Sequence, residues 1–297
     1  MKIMTRKVVL ITGANGQLGS EIRLLENQYP QFAFTFTDIQ ELDLQNSQAV
    51  IDCFSRLKPD YLINCAAYTA VDKAESDVEL CYSINSAAVR NLALAAKQQN
   101  TIVLHVSTDY VFDGKQARPY RENDAVCPVS VYGKSKLQGE QVLNEICPSS
   151  SVIVRTAWLY SAFGNNFVKT MIRLGREKSE LRVVNDQWGS PTYAADLAKA
   201  LMKIVLNAED GHFTPGIYHF SNEGKCSWYE FAQKIHQLAG ITNCKIIPVT
   251  TAEYPTAAQR PSFSLLDKSK IRRDYGVAVP LWTDSLETCL SKFNNCN

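Results

Sequence analysis

A glycine-rich turn near the start of the chain constrains the fold more than any other sequence feature. Val8 to Ile11 form a short all-apolar run, and the heptapeptide Gly13 to Gly19 (GANGQLG) follows almost directly. A run of this kind is typical of a strand that is buried on both faces. Leu18, Ile22 and Leu25 then continue with helical spacing. The pattern Gly-x-x-Gly-x-x-Gly between a strand and a helix is a variant of the dinucleotide-binding fingerprint, although such a turn also occurs without a ligand.

The next 130 residues alternate between strand and helix patterns. Strand patterns occupy 32–36, 61–63, 102–106 and 152–154, and helix patterns include 87–96 and 131–146. Alternating units of this type form parallel sheets with helical crossovers. The sequence therefore predicts an α/β protein with a Rossmann-type, doubly wound parallel sheet.

The regularity decreases after residue 157, which predicts a second, smaller unit. We expect helices at 166–176, 194–206 and 227–238, a turn at 186–191 and a short strand near Tyr218. We assign 1–157 to a dinucleotide-binding domain, to which a helix at about 192–208 returns. Residues 158–191 and 209–297 are then mainly an interleaved substrate-binding domain.

Composition excludes several classes of protein. The 297 residues include 31 Lys and Arg against 30 Asp and Glu, a formal net charge of +1. A balanced charge argues against a nucleic-acid partner, and no apolar run approaches the ~18 residues of a membrane span. The apolar run after the basic segment Met1 to Lys7 is too short for a signal peptide. The nine cysteines are scattered without metal-ligand spacing, so we expect reduced thiols, no metal site and a cytoplasmic location.

Asp38 follows the second strand pattern, 19 residues after Gly19. A carboxylate at this place accepts hydrogen bonds from an adenosine ribose and repels a 2′-phosphate, which favours NADH. Arg23 is close enough in sequence to offset that repulsion, so NADH and NADPH both stay open as cofactors. A simple turn residue is the alternative reading of Asp38.

Tyr132 and Lys136 lie four positions apart on a predicted helix and therefore share one face. An ammonium beside a phenol favours the phenolate, which brings tyrosine closer to proton exchange near neutral pH. Thr108 ends the fourth strand pattern, where side chains of a parallel sheet point into the ligand crevice. Together these residues predict a hydroxyl, phenol and amine triad.

At this point the chain resembles the extended short-chain dehydrogenase/reductase family, and within it the dTDP-4-dehydrorhamnose reductases. The resemblance covers residues 8 to about 200 and is looser beyond, at Arg260-Pro261 and Leu266-Asp267. Four stretches carry it in addition to the glycine turn: Asn64 to Glu75, Ser107 to Gly114, Arg155 to Tyr160 and Asp186 to Thr192.

The resemblance implies an NAD(P)H-dependent reductase that converts dTDP-4-dehydro-L-rhamnose to dTDP-L-rhamnose by hydride transfer to C4. Tyr132 would donate the proton, Lys136 would tune it and hold the ribose, and Thr108 would complete the triad. The implied cofactor-binding residues are Gly13, Asn15, Gly16, Gln17, Leu18, Gly19, Asp38, Ile39, Asp43, Leu44, Ala66, Ala67, Tyr68, Asn85, Tyr132 and Lys136. The implied residues around a dTDP-sugar are Thr69, Val71, Thr108, Asp109, Tyr110, Trp158 and Arg260.

The chain departs from the family pattern at Gln17, where some members are described with a magnesium-binding glutamate at a dimer interface. An amide is a weaker magnesium ligand than a carboxylate, so a metal-dependent dimer is not expected, while a homodimer without metal stays open. Two other functions also stay open: a non-catalytic, NADP-binding regulatory subunit like that of methionine adenosyltransferase, and another sugar-nucleotide reductase, dehydratase or epimerase of the same fold. Asp109 is followed by Tyr110, where related dehydratases carry a second carboxylate.

Several of these residues also have an ordinary structural reading. Trp158 suits a packing aromatic, the segment Asp72 to Glu75 suits a solvated helix start, and Arg260 suits an exposed side chain. His105 lies within an apolar strand and is expected to be a core histidine with satisfied hydrogen bonds.

Overall fold

A computed structural model describes residues 6–294 of the chain. Residues 1–5 and 295–297, which the predicted domain boundaries include, lie outside the described residues. The strands are β1 (Lys7–Thr12), β2 (Phe32–Thr37), β3 (Tyr61–Asn64), β4 (Ile102–Thr108), β5 (Ser151–Thr156), β6 (Leu159–Tyr160), β7 (Glu180–Val184), β8 (Trp188–Gly189), β9 (Thr192–Tyr193), β10 (Gly216–His219), β11 (Cys226–Ser227) and β12 (Lys245–Val249). The α-helices are α1 (Gln17–Arg23), α2 (Ser47–Leu57), α3 (Val71–Ala74), α4 (Val78–Tyr82), α5 (Ala88–Gln99), α6 (Val131–Ile146), α7 (Phe167–Glu177), α8 (Ala194–Glu209), α9 (Trp228–Leu238), α10 (Ser269–Tyr275) and α11 (Trp282–Asn294).

Six parallel strands form the central sheet, in the order β10-β5-β4-β3-β1-β2. This arrangement confirms the predicted α/β class. The chain passes from β1 outward to β2 and then returns to β3 on the other side of β1. Ligands of open parallel sheets bind at such a reversal, outside the carboxyl ends of the strands.

Helices cover both faces of this sheet because successive strand residues point to opposite sides. Val9 and Ile11 belong to an apolar cluster with α1 and α8. Leu10 belongs to a second cluster with α2, α5 and α6. The sheet is therefore buried on both faces, as its short apolar runs predict.

The smaller unit surrounds a third apolar cluster, to which α7, α9 and α11 contribute. Its pairings include β7 with β12, which are parallel, and β8 with β11, which are antiparallel. Within residues 6–294, no helix combines the length and apolarity that crossing a bilayer requires.

The strand expected near Tyr218 is β10, and it pairs with β5 at the edge of the central sheet. β10 has only four residues, and a pattern this short does not indicate which sheet the strand joins. One sequence expectation needs correction here. The expected turn at 186–191 contains β8, whose two residues are too short to produce a strand pattern.

Candidate active site

The glycine turn and the loop after β3 meet at the reversal point of the sheet. Gly13 has φ +66°, and a Cβ atom there would lie 2.6 Å from the backbone nitrogen of Ala66. A Cβ at Gly19 would lie 2.5 Å from the carbonyl oxygen of Gly13. Glycine is therefore required at both positions, for a left-handed turn and for close backbone packing. The turn leaves an open cleft of about 440 Å³ beside it.

The cleft has the lining that a dinucleotide needs. Nine predicted cofactor residues line it: Gly13, Asn15, Gly16, Asp38, Ile39, Asp43, Leu44, Ala66 and Ala67. The lining includes residues of the glycine turn, the carboxylates of Asp38 and Asp43, and apolar side chains such as those of Ile39 and Leu42. These features fit a pyrophosphate, a ribose and a flat base, respectively.

The other residues predicted to bind the cofactor lie outside this lining. Leu18 is 4% exposed and packs in the apolar core, so its side chain is directed away from the cleft. The side-chain oxygen of Gln17 accepts a hydrogen bond from Asn166 at 3.0 Å. Asn85 exchanges two hydrogen bonds with the backbone of Tyr68, at 2.9 and 3.1 Å. Asn85 therefore fixes the position of the loop after β3 through the backbone of Tyr68.

Asp38 anchors the glycine turn. Its two carboxylate oxygens accept hydrogen bonds from the backbone amides of Asn15 and Ile39, each at 2.8 Å. A carboxylate has about four acceptor sites, so both oxygens can still accept from a ribose. Arg23, which sequence reasoning considered as a phosphate partner, lies with its guanidinium 4.1 Å from the ring centre of Phe36.

Tyr132 lies in the first turn of α6, which begins where the side chain of Ser130 accepts a hydrogen bond from Gly133. The phenol ring is 9% exposed and packs edge-on against Tyr110, with ring centres 5.5 Å apart. Burial raises the pKa of Tyr132, while the Thr108 hydroxyl opposes the rise. Burial dominates the pKa of Tyr132, and Lys136 is not among the groups that shift it, so the expected lowering by Lys136 is not found. Tyr132 is protonated at neutral pH, as a proton donor must be.

Lys136 is 1% exposed, and its ammonium donates to the carbonyl oxygen of Val106 at 2.7 Å. Burial lowers the pKa of Lys136 to about 8, and Glu140 acts in the opposite direction. Val106 lies two residues before Thr108 on β4. The structure thus brings Tyr132, Lys136 and Thr108 to the carboxyl end of one strand.

Asp109 is 2% exposed at the edge of this cluster. One carboxylate oxygen accepts from the Thr108 hydroxyl at 3.1 Å, and the other has no hydrogen-bond partner within 3.5 Å among the described residues, although the Ser264 hydroxyl lies near enough to lower the pKa of Asp109. Burial raises the pKa of Asp109 to about 6. A buried carboxylate with a free oxygen is costly for folding and is suited to binding a polar ligand.

A loop from the smaller unit closes over the same region. Arg260 donates to Asp72 at 2.6 Å and to the Tyr110 hydroxyl at 3.1 Å. The amide of Ala258 also donates to Asp72, at 3.1 Å. The two units are therefore joined at this contact. Thr69 is exposed and Val71 half-buried beside this junction.

Trp158 lies directly after β5 with φ +49°, a left-handed conformation that is rare for a bulky residue. Its ring stacks on Trp228, with centres 3.7 Å apart. A Cβ at Gly189 would come within 2.8 Å of the same ring. Trp158 is therefore firmly positioned, but one face of its indole is already occupied.

Among residues 6–294, no group of three or more His, Cys, Asp or Glu side chains is arranged to hold a metal ion. Sequence reasoning missed several residues that line the cleft: Thr12, Thr37, Leu42, Gln45, Cys65, Ile84 and Ala88. Thr12 and Thr37 end β1 and β2, so the rule that ligands bind at carboxyl ends of strands would have identified them. The sequence alone favoured a solvated helix start for Asp72. The structure instead pairs Asp72 with Arg260, which is distant in sequence.

Comparisons with known proteins agree with this geometry. The family model described as the RmlD substrate binding domain matches residues 6–295. A dTDP-4-dehydrorhamnose reductase of Aggregatibacter actinomycetemcomitans is 43% identical over 94% of this chain and 97% of its own. The crystal structure of such a reductase from Clostridium acetobutylicum is 44% identical, with a TM-score of 0.92 over 97% of this chain and 99% of that one.

A second crystal structure adds a bound cofactor. The dTDP-4-dehydrorhamnose reductase of Bacillus anthracis, solved in complex with NADP, is 40% identical with a TM-score of 0.92. The match covers 97% of this chain and all of that one. Since both the family model and these relatives span nearly the whole sequence, the chain belongs to the dTDP-4-dehydrorhamnose reductase family.

Proposed function

We propose that this protein uses NADPH or NADH to reduce the C4 carbonyl of dTDP-4-dehydro-L-rhamnose, giving dTDP-L-rhamnose. The observation that carries the proposal is the convergence of Thr108, Tyr132 and Lys136 at the end of β4, beside a cleft with the lining of a dinucleotide site. A nicotinamide in this cleft supplies the hydride.

The residues of the triad have separate roles in this reaction. Tyr132, protonated at neutral pH because it is buried, donates its proton to the carbonyl oxygen. Thr108 holds that oxygen through its hydroxyl. Lys136 places a positive charge close to the phenolate that Tyr132 becomes. Asp109, Tyr110 and Arg260 bind the sugar nucleotide.

The alternatives have less support. Relatives named as reductases, at about 40% identity over nearly the full length, favour an enzyme over a regulatory subunit. A UDP-glucose 4-epimerase of Thermus thermophilus has a TM-score of 0.83 but only 18% identity, which supports a shared fold alone. The position after Asp109 is Tyr110, so a second carboxylate for abstracting a C–H proton is missing there.

The proposal also concerns location and partners. Eight cysteines are free thiols in the described part of the chain, which supports a cytoplasmic enzyme. The balanced charge argues against a nucleic-acid partner. Whether the enzyme forms a homodimer is measured by light scattering on the purified protein.

The test is nicotinamide oxidation at 340 nm with dTDP-4-dehydro-L-rhamnose and with other 4-keto sugar nucleotides as controls. We expect turnover with the rhamnose precursor and a loss of at least about 100-fold in kcat for Tyr132→Phe, which keeps the ring but lacks the proton. Undiminished turnover by that variant would contradict the assigned role of Tyr132.

A further inference from the structure

A row of buried polar side chains runs across the central sheet, from Thr12 in the lining of the cleft to Lys136 of α6. Thr12, Asn64 and His105 occupy paired positions on the neighbouring strands β1, β3 and β4. Their exposure is 1%, 2% and 0%, and Lys136 of α6 lies at the end of the row with 1%. Polar side chains this deep in an apolar sheet require partners, so their mutual contacts define their chemistry.

The contacts form one continuous chain. The Thr12 hydroxyl donates to Asn64 Oδ1 at 2.7 Å. Asn64 Nδ2 lies 3.0 Å from His105 Nδ1. His105 Nε2 lies 3.4 Å from Lys136 Nζ. The base of the glycine turn is thereby linked to the amine of the catalytic triad.

The backbone fixes the donor and acceptor in each of these hydrogen bonds. The amide of Ala66 donates to Asn64 Oδ1 at 3.1 Å, and a backbone amide can only donate. The oxygen of Asn64 must therefore face Ala66, and its Nδ2 must donate to His105. Nδ1 of His105 is then an acceptor, and a neutral imidazole in that state carries its proton on Nε2. Burial and the charge of Lys136 both lower the pKa of His105, which keeps the ring neutral.

The consequence falls on Lys136. A neutral amine at Nζ can accept a hydrogen bond from the Nε2–H group, whereas an ammonium has no lone pair and is repelled by it. Burial already favours the amine and brings the pKa of Lys136 to about 8. Three groups raise the pKa of Lys136 and so oppose the effect of burial: Glu140 on α6, Cys81 on α4 and Cys65 after β3. A neutral His105 that donates from Nε2 would act in the same direction as burial.

We propose that Asn64 and His105 are positioning residues for the reduction, which hold the imidazole as its Nε2–H tautomer so that the ring opposes, and thereby tunes, the positive charge that Lys136 carries beside Tyr132. The inference rests on the proposed function, which gives Tyr132 and Lys136 their roles. His105 is fully buried, so it does not touch the reacting atoms and acts only through Lys136.

The tautomer is measured directly on the wild-type protein. A long-range ¹H–¹⁵N correlation spectrum of the histidine-labelled enzyme distinguishes protonated from unprotonated ring nitrogens. We expect Nε2 of His105 to be protonated and Nδ1 unprotonated between pH 6 and 8. A ring protonated at Nδ1, or at both nitrogens, would overturn the proposal without any activity being measured.

Two substitutions test the effect on Lys136. In His105→Gln the amide can turn its oxygen toward Lys136, so the Lys136 Cε resonance should titrate about one pH unit higher. The alkaline limb of the kcat/KM profile should move in the same direction. His219→Gln is the matched control, since His219 is equally buried but contacts the carbonyl of Tyr120, away from the cleft. An unshifted Lys136 titration in folded H105Q, or an equal shift in H219Q, would contradict the proposal.

If H105Q does not fold, Asn64→Asp provides the second test. The carboxylate still accepts from Ala66 and Thr12 but presents an acceptor to His105, so the ring proton should move to Nδ1. A ring that keeps its proton on Nε2 would contradict the chain of donors inferred here. Failure of the proposed function looks different: the tautomer and the Lys136 shift would be found, while no 4-keto sugar nucleotide is reduced.

Discussion

At the scale of single residues, the site contains ionisable groups in environments that oppose their charge. Asp109 illustrates this, because burial raises its pKa from 3.8 to about 6 and one oxygen has no hydrogen-bond partner among residues 6–294. The folded state thus resists ionisation of Asp109 more than the unfolded chain does. The stability of the fold falls as the pH rises from about 4 to about 6, and the cost stays at its full value above that range.

We predict that Asp109→Asn stabilises the protein at pH 7.5 and impairs catalysis. A pKa difference of this size corresponds to about 3 kcal/mol in the free energy of unfolding. The gain should shrink as the pH is lowered toward 4, where the wild-type carboxyl is protonated too. Urea denaturation at several pH values measures the first effect and steady-state kinetics the second. Equal stabilisation at pH 4 and pH 7.5 would exclude ionisation of Asp109 as the cause.

Asp38 gives a prediction about cofactor choice. Asp38→Asn removes the charge that repels a 2′-phosphate, so the ratio of kcat/KM for NADPH to that for NADH should rise about tenfold, equivalent to about 1.4 kcal/mol. Asp43→Asn is the control, because it removes a charge from the same cleft but not from the end of β2. If both variants change the ratio equally, general charge in the cleft, and not the ribose contact, sets the preference.

At the scale of elements, α6 positions Tyr132 and Lys136 close to the sheet because two of its glycines allow close contact with neighbouring backbone. A Cβ at Gly133 would lie 2.2 Å from the carbonyl oxygen of Tyr110, and one at Gly139 would lie 2.2 Å from that of Asn85. The helix therefore contacts backbone on two sides. Its buried Glu140 also pairs with Arg155 of β5 at 2.7 Å, which ties α6 to the sheet.

We predict that Gly139→Ala displaces α6 and lowers kcat together with stability. The opposing atom is a backbone carbonyl, which cannot move aside as a side chain can, and overpacking of this kind costs about 1–3 kcal/mol. Gln138→Ala, at the exposed neighbouring position, is the control and should retain wild-type kinetics. Thermal unfolding and kcat of both variants provide the comparison. A fully active, fully stable G139A would show that close approach at Asn85 is unnecessary.

How far the sequence predicts these elements depends on how local their signals are. The bounds predicted for α6 match, because Ser130 supplies an N-cap and Pro148 stops the helix shortly after Ile146. The parallel pair β7–β12 is missed, since its strands are distant in sequence and each needs the other to form. The four-residue spacing of Tyr132 and Lys136 is visible in the sequence, whereas the attachment of Lys136 to the Val106 carbonyl is a tertiary contact.

At the scale of the whole molecule, the site that we propose for the substrate lies where two units meet at Arg260. This side chain contacts Asp72 and Tyr110, both of which belong to the sheet domain. All three residues can be singled out in the sequence, but their contact cannot be predicted from it. The contact depends on the conformation of the loop at 254–263, which brings Arg260 back to the sheet domain. The dinucleotide cleft, by contrast, is formed entirely by the sheet domain.

We therefore predict that Arg260→Met raises KM for the sugar nucleotide at least about tenfold and leaves KM for NADPH unchanged. Charge-assisted hydrogen bonds contribute about 1.5–3 kcal/mol, which corresponds to that factor or more. Arg118→Met removes another Arg–Asp pair, with Asp124, and should change neither constant. A parallel increase in both KM values for R260M would indicate that the loop supports the whole fold and does not act on the sugar site alone.

The central claim is that hydride reaches C4 of the sugar at this cleft, and isotope transfer measures it most directly. The enzyme is incubated with dTDP-4-dehydro-L-rhamnose and NADPH carrying deuterium at the transferable nicotinamide position. Our account predicts one deuterium in the product, at C4, with the configuration of dTDP-L-rhamnose by NMR. A product without deuterium, or with deuterium at another sugar carbon, would contradict it.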